Sequence, residues 1–246
     1  MTPCVILAGG LGTRMRTVTG DHLPKILVPV RGEPFAHHQL TWLAGQGVTS
    51  VVLAIGHGGA AVQDYVGDGS RWGLTVAFVD EGAQLRGTGG ALQLALQQGA
   101  LPPEFMVVYG DSYLPLDLDA VATAYEGSGL PALMTVFRNE DRWERSNARY
   151  EDGEVTLYQK AHPDPAGAGL RHVDYGLSVL RSEVVADLVP DDGPYDLAEV
   201  FHQLSLAGML AGHEVGDRFF EVGSPDGLRD LEAHLARGVE RVVPSG

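Results

Sequence analysis

The chain has 246 residues, 44% hydrophobic and 20% charged, which suits one large α/β domain or two small ones with a sizeable core. Asp and Glu total 32 against 17 Lys and Arg, a formal net charge of −15 that repels nucleic acid and anionic membranes. A protein of this charge that handles polyanionic substrates must concentrate cations locally or recruit a metal.

Cys4-Val5-Ile6-Leu7 is apolar and too short for a helix, so it reads as a buried strand. Cys4 is the single cysteine; it excludes an internal disulfide and is expected as a reduced core residue. No basic region followed by an apolar stretch precedes this strand, and no apolar run reaches ~18 residues. A soluble cytoplasmic protein is expected. The strand runs into Ala8-Gly9-Gly10-Leu11-Gly12-Thr13-Arg14-Met15-Arg16, with Pro24-Lys25 shortly after. Three glycines in four residues let backbone N–H groups approach an anion, and Arg14, Arg16 and Lys25 add positive charge beside them. The stretch is a candidate phosphate cradle. No Lys-Ser or Lys-Thr follows the glycines, which excludes a P-loop. Met15 stands where a dinucleotide fingerprint needs its third glycine.

Residues 34–47 read as a helix closed by Gly45 and Gly47, then 51–56 as a strand, 60–66 as a short helix and 74–79 as a strand. Residues 89–98 are expected helical and 105–109 a fourth strand. This alternation implies βαβ crossovers and a mostly parallel sheet with helices on both faces. Further on, 132–137 reads as a strand, 148–158 as a hairpin turning at Glu151-Asp152-Gly153, and 172–180 as a strand. Helices are expected near 182–188 and 196–210, a last strand ending at 219–223, and a final helix opened by Ser224-Pro225. The Pro, Gly and Ala-rich stretch 162–169 is expected to be the long mobile loop. No repeat or linker divides the chain, so one domain is expected.

Ligands in open parallel sheets bind outside the carboxyl ends of the strands, which directs attention to polar residues there. Asp111, in Tyr109-Gly110-Asp111-Ser112-Tyr113, suits a hard cation such as Mg²⁺, although an Asp there also serves as a turn cap. Glu221 lies in the apolar run Phe220-Glu221-Val222-Gly223 and needs a metal or a cation as partner. In Leu85-Arg86-Gly87-Thr88-Gly89-Gly90, small residues at a helix start leave N–H groups open to a base or phosphate, or serve packing alone. His37 and His38 point in different directions from one helix, which argues against a shared metal. Trp42 and Trp72 read as core or rim, and no serine elbow or Cys-His nucleophile is present.

Leu7 to Arg16, together with Leu23-Pro24-Lys25-Ile26-Leu27-Val28-Pro29-Val30, resembles the signature of the sugar-1-phosphate nucleotidylyltransferases. It departs from that signature at Met15, usually Leu, and at Thr17-Val18-Thr19, usually Pro-Leu-Thr. The resemblance extends over nearly the whole chain. It implies a single Rossmann-like (GT-A-like) α/β domain with three α/β/α layers and a mostly parallel mixed sheet. A nucleotide-binding half would span about 1–112 and a sugar-phosphate-binding half about 113–246. The implied substrates are a nucleoside triphosphate and a sugar 1-phosphate. The implied nucleotide contacts are Leu7, Ala8, Gly9, Gly10, Gly12, Thr13, Arg14, Glu81, Gly87 and Thr88, with Arg14 and Lys25 catalytic. Tyr109, Gly110, Lys160, Asp174 and Gly176 match the sugar-phosphate side, and Asp111 and Glu221 the Mg²⁺ ligands. Glu221 stands where the family usually has Asp, which leaves open whether one or two ions bind.

Within the family, Gly110-Asp111-Ser112-Tyr113 and the short C-terminus look most like heptose 1-phosphate guanylyltransferases. Asp68-Gly69-Ser70-Arg71-Trp72-Gly73-Leu74 is similar instead to short uridylyltransferases acting on N-acetylmuramate or hexose 1-phosphates. A non-catalytic nucleotide-sugar sensor on the same fold is a second class of reading, opposed by retention of Arg14, Lys25, Asp111 and an acid at 221. A glycosyltransferase would need an Asp-x-Asp motif at a strand end. Asp117-Leu118-Asp119 has that spacing but reads as the start of a helix. Homo-oligomerisation is left open.

Overall fold

The computed structural model describes residues 2–10, 23–82, 84–139, 141–142 and 144–240, without the side chains of 238–240. Gly12, Thr13, Arg14 and Arg16 lie outside the described residues. The first half alternates as its sequence pattern predicts: β1 (Cys4–Leu7), β2 (Pro29–Val30), β3 (Glu33–Pro34), α1 (Phe35–Gly45), β4 (Ser50–Ile55), α2 (Gly59–Val66), β5 (Thr75–Asp80), α3 (Gly87–Gln97) and β6 (Glu104–Tyr109). The second half adds β7 (Ser112–Tyr113), α4 (Leu118–Ser128), β8 (Ala132–Arg138), β9 (Ala148–Glu151), β10 (Glu154–Tyr158), β11 (His172–Arg181), α5 (Ser182–Leu188), α6 (Leu197–Leu206), β12 (Leu210–Val215), β13 (Phe220–Glu221) and α7 (Pro225–Glu240).

Nine strands form one sheet in the order β5-β4-β1-β6-β11-β8-β12-β10-β9. The first four run parallel. Strand β11 lies antiparallel between β6 and β8, which makes the sheet mixed. Alternation along each strand sorts side chains to two cores, one per face. Cys4, Ile6, Leu53 and Val108 pack on one side with Phe35, Leu40, Val62, Val121 and Leu231 of α1, α2, α4 and α7. Val5, Val52, Val107 and Val136 pack on the other with Leu92, Val185 and Phe201 of α3, α5 and α6. The result is the three-layer α/β/α arrangement. Burial pushes the Cys4 thiol up to about 12, so it is a small apolar filler. Among the described residues no helix is long and apolar enough to cross a membrane.

Two expectations need correction. Residues 196–210 do not make one helix: α6 ends at Leu206, Gly208 turns the chain at φ +65°, and Leu210–Val215 becomes a buried strand parallel to β8. The run ending at 219–223 is no strand of the main sheet, since β13 is two residues long and pairs only with β7. Loop 162–169 is organised around Asp164, whose side chain accepts the Gly167 N–H and whose carbonyl accepts the Ala168 N–H.

Asp117 is the N-cap of α4, its carboxylate accepting the Asp119 N–H at 2.9 Å. Asp117→Ala is therefore expected to lower stability by ~1 kcal/mol, read as a shifted denaturant midpoint, while turnover stays intact. Lost turnover at unchanged stability would instead mark the Asp-x-Asp spacing as functional.

Candidate active site

The order β5-β4-β1-β6 reverses direction at β1 and β6, and the carboxyl ends of those two strands open a cleft of about 250 Å³. Of the expected contacts, Leu7, Ala8, Gly9, Gly10, Lys25, Glu81, Gly87, Thr88, Tyr109, Gly110 and Asp111 all line it. The two strand ends touch. Gly110 N–H donates to Leu7 O at 2.9 Å, and a Cβ on Gly110 would meet that of Ala8 at 2.9 Å. Only glycine fits this crossing.

Lys25 opens a single 3-10 turn, Lys25–Leu27, anchored by buried Ile26 and Leu27. Its ammonium donates to Asp111 Oδ2 at 2.8 Å. The pairing of β13 with β7 sets Glu221 opposite Ser112, and Val222 N–H bonds Asp111 O at 2.9 Å. A Cβ at Gly223 would lie 2.5 Å from Glu221 Oε2, 3.4 Å from Lys25 Nζ and 3.5 Å from Asp111 Oδ2. One lysine and two carboxylates thus converge on a single point. Glu221 is also oriented locally, its Oε1 accepting from Ser224 Oγ at 2.5 Å and its Oε2 from the Gly223 N–H. Ser224 Oγ in turn accepts the Gly227 N–H at 3.1 Å as the expected cap of α7.

Glu81 is buried at the end of β5, lying against Gly9 so closely that any Cβ on Gly9 would collide with its carboxylate. Burial raises its carboxyl above the usual range, partly offset by the Arg86 N–H, which donates to Oε2 at 3.0 Å. The start of α3 differs from the expectation of free amides. Gly89 and Gly90 N–H groups both donate to Tyr195 O, at 2.9 and 3.2 Å. Gly87, at φ +71°, admits that carbonyl where a Cβ would lie 2.6 Å from it. Thr88 Oγ1 donates to Asp196 Oδ1 at 2.9 Å and accepts the Leu197 N–H at 2.8 Å. The Gly89 and Gly90 amides thus serve packing against the Tyr195 segment.

Of the expected second-half residues, Asp174 and Gly176 lie beside Tyr109, whereas Lys160 stands outside the cleft lining. Lys160 Nζ donates to Asp196 Oδ2 at 2.6 Å. Asp174 and Gly176 sit at a bulge inside β11 where Gly176 has φ +103°, and the Gly176 N–H donates to Asp174 Oδ1 at 2.9 Å. Burial raises the Asp174 carboxyl to about 6, against the pull of the Gly176 N–H and Lys160. Tyr109 Oη stands 3.5 Å from Asp174 Oδ2, long for a hydrogen bond, and burial drives its phenol well above its ordinary value.

Two residues that sequence reasoning missed hold this frame. Gln39 is fully buried and its amide donates to Tyr109 O at 2.9 Å and Ser112 O at 3.0 Å, spanning Asp111 from both sides. Its signal was available: a polar residue four positions from both Phe35 and Leu43 on the apolar face of α1. Asp196 is the other, sitting between Thr88 and Lys160.

The model of the MobA-like NTP transferase domain matches residues 4–183. The chain belongs to this family. Within the family, the chain is 32% identical over 225 residues to D-glycero-alpha-D-manno-heptose 1-phosphate guanylyltransferase of Campylobacter jejuni, covering 90% of this chain and 95% of the relative. It is 29% identical over 239 residues to N-acetylmuramate alpha-1-phosphate uridylyltransferase of Caulobacter vibrioides, covering 94% and 96%. The NTP transferase fold is shared with HddC from Yersinia pseudotuberculosis solved with GMP-PN, at TM-score 0.78 and 24% identity over 96% of this chain and all of that one. This NTP transferase is a sugar-1-phosphate nucleotidyltransferase, as its glycine loop implied.

Two outcomes follow for the site. Because the folded chain holds the Asp174 proton more tightly than the unfolded chain, whose carboxyl titrates near ~3.9, this group makes stability fall as pH rises from about 4 to about 6. Unfolding midpoints of wild type and Asp174→Asn should diverge across that window, to the relative benefit of the variant, and run parallel above it. Gly223→Ala should displace the Glu221 carboxylate and reduce turnover at least about tenfold with the protein still folded, by analogy with a lost electrostatic contact.

Proposed function

We propose that this enzyme transfers a guanylyl group from GTP to a heptose 1-phosphate or a related manno-configured sugar 1-phosphate, in the cytoplasm, with Mg²⁺. The observation that carries the reaction is the convergence of Lys25, Asp111 and Glu221 at the carboxyl end of β6 beside the glycine turn. A sugar phosphate oxygen forms a bond to the α-phosphorus, the α–β phosphoanhydride bond breaks, and pyrophosphate carries away the bonding pair. The nucleophile is already ionised, so positioning and charge relief dominate.

In this reading residues 1–112 hold the nucleotide and 113–246 the sugar phosphate. The amides of residues 9–13 and the Arg14 side chain cradle the triphosphate. Lys25 balances charge at the α-phosphate, and Lys160 seats the sugar phosphate. Asp111 and Glu221 supply hard oxygen donors, and the Lys25 ammonium resting on Asp111 marks a place that favours a cation. No third acidic or imidazole ligand joins them among the described residues, so substrate phosphates would complete the shell. A bound Mg²⁺ would neutralise phosphate charge. Supporting the guanylyl reading is the 32% identity to the heptose enzyme. Supporting a uridylyl reading on an N-acetylmuramate or hexose 1-phosphate is the full-length similarity to the muramate enzyme.

Pyrophosphate release with each nucleoside triphosphate against a panel of sugar 1-phosphates, with and without Mg²⁺, separates these readings. Metal-dependent release with GTP and a manno-configured phosphate is expected, whereas release with UTP alone keeps the chemistry and overturns the base. Lys25→Ala should lower kcat about 10²–10³-fold in a folded protein.

A further inference from the structure

Asp196 stands outside the cleft lining, yet it joins the two halves of the site. One of its oxygens, Oδ1, accepts the Thr88 hydroxyl at 2.9 Å and the Ala198 N–H at 3.1 Å, capping α6. The other, Oδ2, accepts the Lys160 ammonium at 2.6 Å. Adjacent Tyr195 locks the start of α3 from both directions, its carbonyl accepting Gly89 and Gly90 N–H groups and its N–H donating to Arg86 O at 2.8 Å. The cleft side of α3 therefore has its position set by the segment that also holds Lys160.

The Lys160 and Asp196 side chains are 62% and 43% exposed, so the pair contributes little to global stability. What the geometry controls is where a flexible ammonium rests. Four rotatable bonds would otherwise spread Lys160 through solvent, and a short charge-assisted hydrogen bond gathers it to one place. Burial alone would raise the Asp196 carboxyl, but hydrogen bonds from Lys160, the Ala198 N–H and Thr88 together hold it below the ordinary value.

We propose that Asp196 is a positioning residue that couples the nucleotide side of the site to the sugar-phosphate side, fixing the start of α3 through Thr88 and presenting Lys160 through its second oxygen. The proposal rests on the assignment of α3 to the nucleotide and Lys160 to the sugar phosphate. An asparagine separates the two duties. Its amide oxygen accepts from Thr88 and the Ala198 N–H, whereas its NH₂ group cannot accept from an ammonium.

The test compares KM and kcat for both substrates in the wild type, Asp196→Ala, Asp196→Asn, Thr88→Val and Lys160→Ala, with direct fluorescence titration of GTP and UTP binding. Asp196→Ala should raise KM for both substrates by about fivefold each, the size expected from losing one or two hydrogen bonds. Asp196→Asn should restore the nucleotide KM and nucleotide affinity while the sugar-phosphate KM stays raised. Thr88→Val should move only the nucleotide KM and Lys160→Ala only the sugar-phosphate KM. Asp196→Asn matching wild type for both substrates, or Asp196→Ala moving only one KM, would overturn the coupling. If Asp196→Ala does not fold, Asp196→Asn combined with Lys160→Ala decides: a sugar-phosphate defect no larger than that of Lys160→Ala alone supports the proposal, and additive defects sink it. Should wild type turn over no sugar 1-phosphate, the proposed reaction fails. The titration still judges Asp196, since weakened nucleotide binding in the Ala variant restored by Asn supports its positioning role and equal affinities overturn it.

Discussion

The parallel pairing of β1 with β6 places Leu7 beside Tyr109 and brings Ala8 against Gly110 at the carboxyl ends of both strands. From that contact Gly9 and Gly10 lead off on one side and Gly110 and Asp111 on the other, and all four line one cleft. Any side chain at 110 would force the two ends apart. The second half of the chain is then fitted to this junction: β11 pairs with β6, β13 pairs with β7 just past Asp111, and Gln39 clamps the intervening turn from behind.

A chain with a net charge of −15 has an electrostatic difficulty in binding two phosphorylated substrates. The described residues meet it by storing cations on carboxylates. Lys25 rests on Asp111 and Lys160 on Asp196, each at hydrogen-bond distance. Such pairs keep positive charge fixed in place, that of Lys25 in the cleft lining itself. In the proposed reaction an incoming phosphate would compete with a carboxylate for an ammonium already in place, rather than order a free side chain.

The glycines of residues 87–90 show how one residue type serves different ends. Past the ends of β1 and β6, Gly9 makes room for a buried carboxylate and Gly110 for a neighbouring strand end. At the start of α3 the glycines admit the Tyr195 backbone, and its carbonyl takes the amides that a helix N-terminus would otherwise offer to an anion. The helix is thereby joined to the second half of the chain.

Beyond the family resemblance that implied the reaction class, the sequence by itself determined the alternation of the first half, the buried first strand, the glycine-rich stretch with its flanking cations and the two acids at 111 and 221. These are local: a period of two or 3.6, a strand length, a glycine, a charge at a strand end. The order of nine strands, the end of α6 at Leu206 with a strand following at 210–215, and the meeting of Lys25, Asp111 and Glu221 were decided by tertiary structure. So were Gln39, which bonds a carbonyl 70 residues away, and Asp196, which meets Thr88 across 108. A polar side chain carries no mark of the distant partner that burial will require of it; only packing the layers brings donor and acceptor within reach.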